Sequence, residues 1–207
     1  VDAQSDLRGR VALVTGAGEG AARAIALALA RAGAAVVVSD VNPNHADAVA
    51  AEIATTGGRA FPWEADIGNK FQVGTLIERA RDEFGRLHIV VCGMQVNKPA
   101  PFLTLDEYDW RRVLEVNLTG AFFVSQMAAR VMTDEGGGVI VHLIGGLETP
   151  DGVEQVAYTV SRAGLAALSA AMARELSPHG VRVYAIEVNR DTAAAATEVL
   201  RAVESWR

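Results

Sequence analysis

The chain has little cysteine, little proline and no surplus of positive charge, and each shortage closes off a class of protein. The one cysteine among 207 residues, Cys92, can form no intrachain disulfide, so the chain makes no use of an oxidising compartment. Six prolines beside 20 glycines, with 50% of residues hydrophobic and 21% charged, exclude a disordered or collagen-like chain. Nineteen basic against 25 acidic side chains leave a formal net charge of -6. That balance argues against nucleic acid as the main partner, because counterion release needs clustered Lys and Arg. No stretch reaches the ~20 consecutive apolar residues of a membrane-spanning helix, and the opening VDAQSDLRGR lacks the apolar centre of a signal peptide. A cytoplasmic protein with no membrane partner and no metal site is expected. A nucleotide is not excluded, since a helix N-terminus holds phosphate without any basic patch.

What the chain does have is rhythm. Six short apolar runs, at 10–15, 35–39, 60–64, 87–92, 139–143 and 181–186, alternate with helix-forming stretches at 19–31, 45–55, 69–84, 105–132, 153–176 and 192–206. Runs such as VALVT and VVVS do not alternate apolar with polar, which suits strands covered on both faces. Asn42-Pro43-Asn44 reads as a break before the second helix, and the long fourth helix is expected to bend near Asn117 or Gly120. The implied fold class is α/β: one doubly wound, mostly parallel sheet of about six strands with helices on both faces, Rossmann-like, across residues 1–207.

Thr15-Gly16-Ala17-Gly18-Glu19-Gly20 stands where the first strand hands over to the first helix. Glycine there allows a tight turn and close approach of phosphate to free N–H groups at the positive helix end. A plain glycine-rich turn is the alternative. Asp40 ends the second run, where a carboxylate accepts hydrogen bonds from an adenine-side ribose and repels a 2'-phosphate, implying NAD rather than NADP. Capping the next helix is its other possible role, one that Asn42 or Asn44 could fill. Asp66 carries the same ambiguity. Tyr158 and Arg162, four apart on a helix, share one face, so the cation can favour the phenolate and make the tyrosine a proton donor or acceptor for a carbonyl/alcohol pair. Alternatively, Tyr158 packs under the sheet edge while Arg162 reaches solvent.

On these motifs the chain resembles the short-chain dehydrogenase/reductase family from about Gly9 to Asn189. TGAGEGAA at 15–22 is similar to the family's TGxxxGxG loop, with Ala22 in place of the last glycine. Asp66-Ile67 resembles the adenine-contacting pair, CGMQ at 92–95 stands where NNAG is usual, and WRRVLEVNLTG at 110–120 puts Asn117 on the functional asparagine. AYTVSR at 157–162 resembles YxxxK, with Tyr158 on the catalytic tyrosine and Arg162 on the lysine. The resemblance implies a cofactor site of Thr15, Gly16, Gly18, Glu19, Gly20, Asp40, Asp66, Ile67, Cys92, Tyr158 and Arg162, and a catalytic set of Tyr158, Arg162 and Asn117.

Departures from the family pattern cluster where chemistry is expected. Gly145, preceded by Ile144, occupies the serine position, with Thr149 nearby as a stand-in, and His142 reads as a core or strand-end histidine. Val188-Asn189 replace the usual Pro-Gly, and Ala193 holds the place of a threonine, with Thr192 one residue short. The expected function is an NAD(H)-linked oxidoreductase on a carbonyl/secondary alcohol pair of a small molecule. A catalytically impaired dinucleotide-binding protein with a structural or regulatory role, or a redox-neutral acid-catalysed enzyme, are the alternatives. The resemblance also implies a homo-dimer or homo-tetramer built through 105–132 and 153–176, where Ala163, Ala166, Ala167, Ala170 and Ala171 permit close helix approach. The family's C-terminal lid and last strand are expected to be reduced or absent.

Overall fold

A computed structural model describes residues 6–145, 153–188 and 191–206. Six strands, β1 (Val11–Thr15), β2 (Ala35–Asp40), β3 (Arg59–Glu64), β4 (Ile89–Cys92), β5 (Gly138–Gly145) and β6 (Val181–Val188), form one sheet in the order β3-β2-β1-β4-β5-β6. Every neighbouring pair is parallel. The chain winds outward from β1 to β3 and then returns to lay β4 on the other side of β1. That reversal opens a crevice at the carboxyl ends of β1 and β4, where open α/β sheets bind ligands.

The unbroken apolar runs are explained by two cores, one on each face. Residues Ala12, Val14, Val36, Val38 and Val91 face α1 (Gly20–Arg31), α2 (Pro43–Thr55) and α7 (Thr192–Glu204). Their neighbours Leu13, Val37, Val90 and Cys92 face α3 (Lys70–Phe84), α5 (Ala121–Asp134) and α6 (Val156–Leu176). A strand alternates its side chains across the sheet, so burial on both sides demands apolar residues at every position.

Several boundaries differ from the sequence reading, for local reasons. Asn42-Pro43 starts α2 rather than breaking the chain: Asn42 caps the helix by accepting from Asn44 N, with Pro43 in the first turn. The expected helix at 105–132 is α4 (Glu107–Leu114), a π-helical turn at Glu115–Gly120, then α5. The bend expected at Asn117 or Gly120 is this π turn. Gly120 is pressed onto Ile67, where a Cβ would stand 2.8 Å from the Ile67 side chain. Strand β4 is shorter than the run at 87–92, and β5 and β6 are longer than theirs. Residues 156–179 have the length and hydropathy of a membrane-crossing helix, but α6 packs against β5 and β6 and turns Leu165 and Ser169 inward. Strand β6 ends at Val188 and α7 begins at Thr192, capped by Asp191. Helix α7 packs onto α1.

Candidate active site

The crevice holds a cavity of about 430 Å³ whose wall includes Gly16, Glu19, Gly20, Asp40, Gln95 and Gly145. The turn from β1 into α1 needs its glycines. Gly16 sits at φ +65, and a Cβ there would lie 2.6 Å from Met94 Cα. Gly20, at φ +59, has open space around it. The first turn of α1 has no side-chain cap, since Glu19 precedes it without making one. Its N–H groups are therefore left to an external acceptor.

Asp40 is 6% exposed and holds this turn. Its Oδ2 accepts from Gly18 N at 3.0 Å and its Oδ1 from Asn42 N at 2.9 Å. It does not cap α2, which Asn42 does. Thr15 is fully buried and accepts from Gly93 N through Oγ1 at 3.2 Å, tying the ends of β1 and β4 together. The same glycine explains Ala22. A Cβ on Gly93 would stand 2.6 Å from the Ala22 methyl, so this chain's alanine in place of the family's glycine is accommodated by a glycine facing it across the crevice.

Of the predicted cofactor residues, Gly16, Glu19, Gly20 and Asp40 line the cavity, Thr15, Gly18, Tyr158 and Arg162 stand behind its wall, and Asp66, Ile67 and Cys92 turn their side chains elsewhere. Asp66 accepts from Gly68 N at 2.9 Å and pairs with Arg112 at 2.8 Å. Ile67 is 1% exposed in the core. Cys92 lies under the sheet with Sγ 3.7 Å from Ser125 Oγ, and burial pushes its thiol up to about 12.

At the other end of the cavity stands Tyr158, 3% exposed, against Gly145 and Gln95. Its hydroxyl donates to Gln95 Oε1 at 2.9 Å. The Arg162 guanidinium lies over the Tyr158 ring, with Cζ 4.8 Å from the centroid, so the one-face spacing brings them into contact. Arg162 does not reach solvent. It is 7% exposed, and Nη1 donates to the Leu143 carbonyl at 3.1 Å. Burial lowers its pKa and Tyr158 opposes that shift. The Asn117 side chain is fully used, accepting from Val96 N and donating to Val96 O at 2.8 Å each, and to Ser161 Oγ at 3.1 Å. It braces the loop after β4 against α6 and is a positioning residue for that loop.

His142 is a core histidine, as read from the sequence, in an ordered chain. Ser169 donates to Leu165 O at 2.7 Å, so its oxygen accepts from His142 Nδ1–H at 2.6 Å. Nε2 is then the acceptor for Ser125 O–H at 2.7 Å, which leaves Ser125 Oγ to accept from Cys92 S–H. Burial pushes His142 down to about 4. Thr149 and Asn189 fall outside the described residues, and Val188 lines the cavity. The sequence reading missed Gln95 and Gly93 as site residues. Their signal was pairwise: glutamine at 95 accompanies glycine at 145, and glycine at 93 accompanies alanine at 22.

A dinucleotide fits the residues present. The glycine turn offers the uncapped first turn of α1 beside the open space at Gly20. At the other end, Arg162 Nε and Nη2 are shielded from solvent with no hydrogen-bond partner among the described residues. Two buried donors without acceptors are costly, and a ribose diol would satisfy them.

Residues 10–205 match the sequence profile of the short chain dehydrogenases. The chain is 36% identical over 186 residues to D-threitol dehydrogenase of Mycolicibacterium smegmatis, covering 90% of this chain and 72% of that protein. It is 34% identical over 180 residues to 7alpha-hydroxysteroid dehydrogenase of Escherichia coli, covering 87% and 70%. A crystal structure of a short chain dehydrogenase from Mycobacterium smegmatis superposes with a TM-score of 0.91 at 27% identity, covering 98% of this chain and 89% of that one. The 7α-hydroxysteroid dehydrogenase complexed with NADH and 7-oxo glycochenodeoxycholic acid superposes at 0.84 with 34% identity, over 89% and 72%. The winding of the sheet thus recurs in these solved structures, and the chain belongs to the short-chain dehydrogenase/reductase family.

Proposed function

We propose that this protein is an NAD(H)-linked oxidoreductase that interconverts a carbonyl and a secondary alcohol on a small molecule. The observation that carries the reading is Tyr158, whose hydroxyl meets the cavity wall at Gln95 and Gly145 with a cation against its ring. The glycine turn and the first turn of α1 would hold the pyrophosphate, Asp40 the adenine-side ribose, and Arg162 the nicotinamide ribose. When bound, the nicotinamide supplies a hydride to the carbonyl carbon. Tyr158 gives its proton to the oxygen, and Arg162 stabilises the tyrosinate that remains. Arginine stays protonated, so it orients and stabilises without passing a proton. Tyr158 therefore recovers its proton from water entering the cavity.

Asp40 supports NADH over NADPH. Its carboxylate is anchored by two backbone N–H groups, and a 2'-phosphate beside it meets a fixed like charge. Calorimetry is expected to show NADH binding at least about tenfold tighter than NADPH, a gap of ~1.4 kcal/mol. Equal affinities would remove the discriminating role of Asp40. Absence of NADH binding would overturn the oxidoreductase reading.

The homo-oligomer expected from the helices belongs to the same proposal. Ala163, Ala167 and Ala170 are exposed rather than packed on the sheet, and an open groove between α5 and α6 is lined by Phe122, Ala129, Leu168, Ala171 and Met172. A second copy of α5 and α6 would cover it.

A further inference from the structure

Gln95 is the third residue of the loop that leaves β4, is exposed, and lines the cavity. Its carboxamide has one acceptor oxygen and a donor nitrogen. The oxygen takes the hydrogen bond from Tyr158 at 2.9 Å. Gly145 faces both groups: a Cβ there would stand 2.5 Å from the Tyr158 hydroxyl oxygen and 3.1 Å from Gln95 Oε1. The phenol oxygen thus occupies the space in which any side chain at 145 would begin. A serine at 145 and this placement of Tyr158 exclude each other. Gly145 is then the vacancy that the Gln95–Tyr158 hydrogen bond requires, rather than a catalytic hydroxyl lost without compensation.

Resting on the oxidoreductase reading of this site, we propose that Gln95 is the positioning residue for Tyr158, replacing from the opposite wall the hydroxyl that position 145 lacks. Accepting a hydrogen bond from the neutral phenol favours the protonated form, whereas the Arg162 cation favours the phenolate. Among the described residues, Arg162 is the charged group that faces Tyr158, and it comes from α6 itself. The neighbours from the other elements, Gly145 of β5 and Gln95 after β4, carry no charge. The two opposed influences keep Tyr158 an acid that can still release its proton. This arrangement suits protonation of a carbonyl oxygen, the reductive direction.

The test needs no known substrate. With three tyrosines in the chain, 13C at the ring carbon bearing the hydroxyl gives three resonances, assigned by Tyr→Phe variants and titrated by NMR. Gln95→Ala is expected to lower the Tyr158 pKa by about one unit and Gln95→Glu to raise it by at least as much. Gly145→Ser is expected to displace the Tyr158 hydroxyl and so to shift its resonance. Where a ketone is turned over, the pH–rate profile moves with the titration. A Tyr158 titration unmoved in both Gln95 variants, with NADH binding intact by calorimetry, would overturn the role of Gln95 alone. Failure of the unaltered protein to bind NADH would overturn the underlying reading, and that measurement is independent of the tyrosine resonances.

Discussion

Replacing Tyr158 with phenylalanine is expected to lower NADH-dependent ketone reduction about a thousandfold, in the range attributed to a positioned general acid, while leaving NADH affinity unchanged. The separation follows from the geometry. The aromatic ring, which packs beneath the Arg162 guanidinium, is kept, so the cation remains where it is. The hydroxyl alone is lost, and its partner Gln95 is exposed, so water takes over the vacated hydrogen bond and stability changes by no more than about 1 kcal/mol. Steady-state kinetics over a panel of ketones, with calorimetry of NADH on both proteins, checks the expectation. Undiminished turnover in Tyr158→Phe would show that the proton comes from elsewhere.

The second large effect concerns acid. His142 is fully buried and neutral, with its two ring nitrogens committed as one donor and one acceptor. Its folded-state pKa of about 4 lies below the ordinary 6.5. The unfolded chain therefore takes up the proton first. The contribution of His142 to stability is complete above pH 6.5 and is lost as pH falls from 6.5 towards 4, about 3 kcal/mol in all. His88 adds in the same direction. Its Nδ1 accepts from Val11 N at 3.1 Å, and burial is the largest cause of its fall to about 4. Urea unfolding at pH 7 and at 4.5 is expected to show the loss, and His142→Gln to show a shallower pH dependence. An equal slope in both proteins would assign the acid sensitivity to other groups.

The fold was largely legible because burial on two faces leaves an unmistakable pattern. Val11 to Thr15 has no polar interruption until the hydroxyl of Thr15, and no half-exposed strand reads that way. Element ends were less legible. Asn42-Pro43 serves equally as a break or as a cap with proline in the first helical turn, and only the hydrogen bond to Asn44 N decides. Within the site, Tyr158 and Arg162 were legible from a spacing of four, a property of one helix. Gln95 was not, because its meaning depends on Gly145, fifty residues away on the next strand of the sheet. Ala22 and Gly93 are another such pair. Compensation between distant positions looks like two separate defects until the chain is folded.

The hydrogen-bond chain that ends at Cys92 gives the molecule a built-in clock. The protein has one thiol, which is protonated, enclosed between β4 and α5, and joined to Ser125. A thiolate-seeking reagent can reach it only when that part of the core separates. The labelling rate in native buffer therefore measures the opening free energy at the middle of the sheet. Its variation with denaturant would show whether β4 opens alone or with the whole domain.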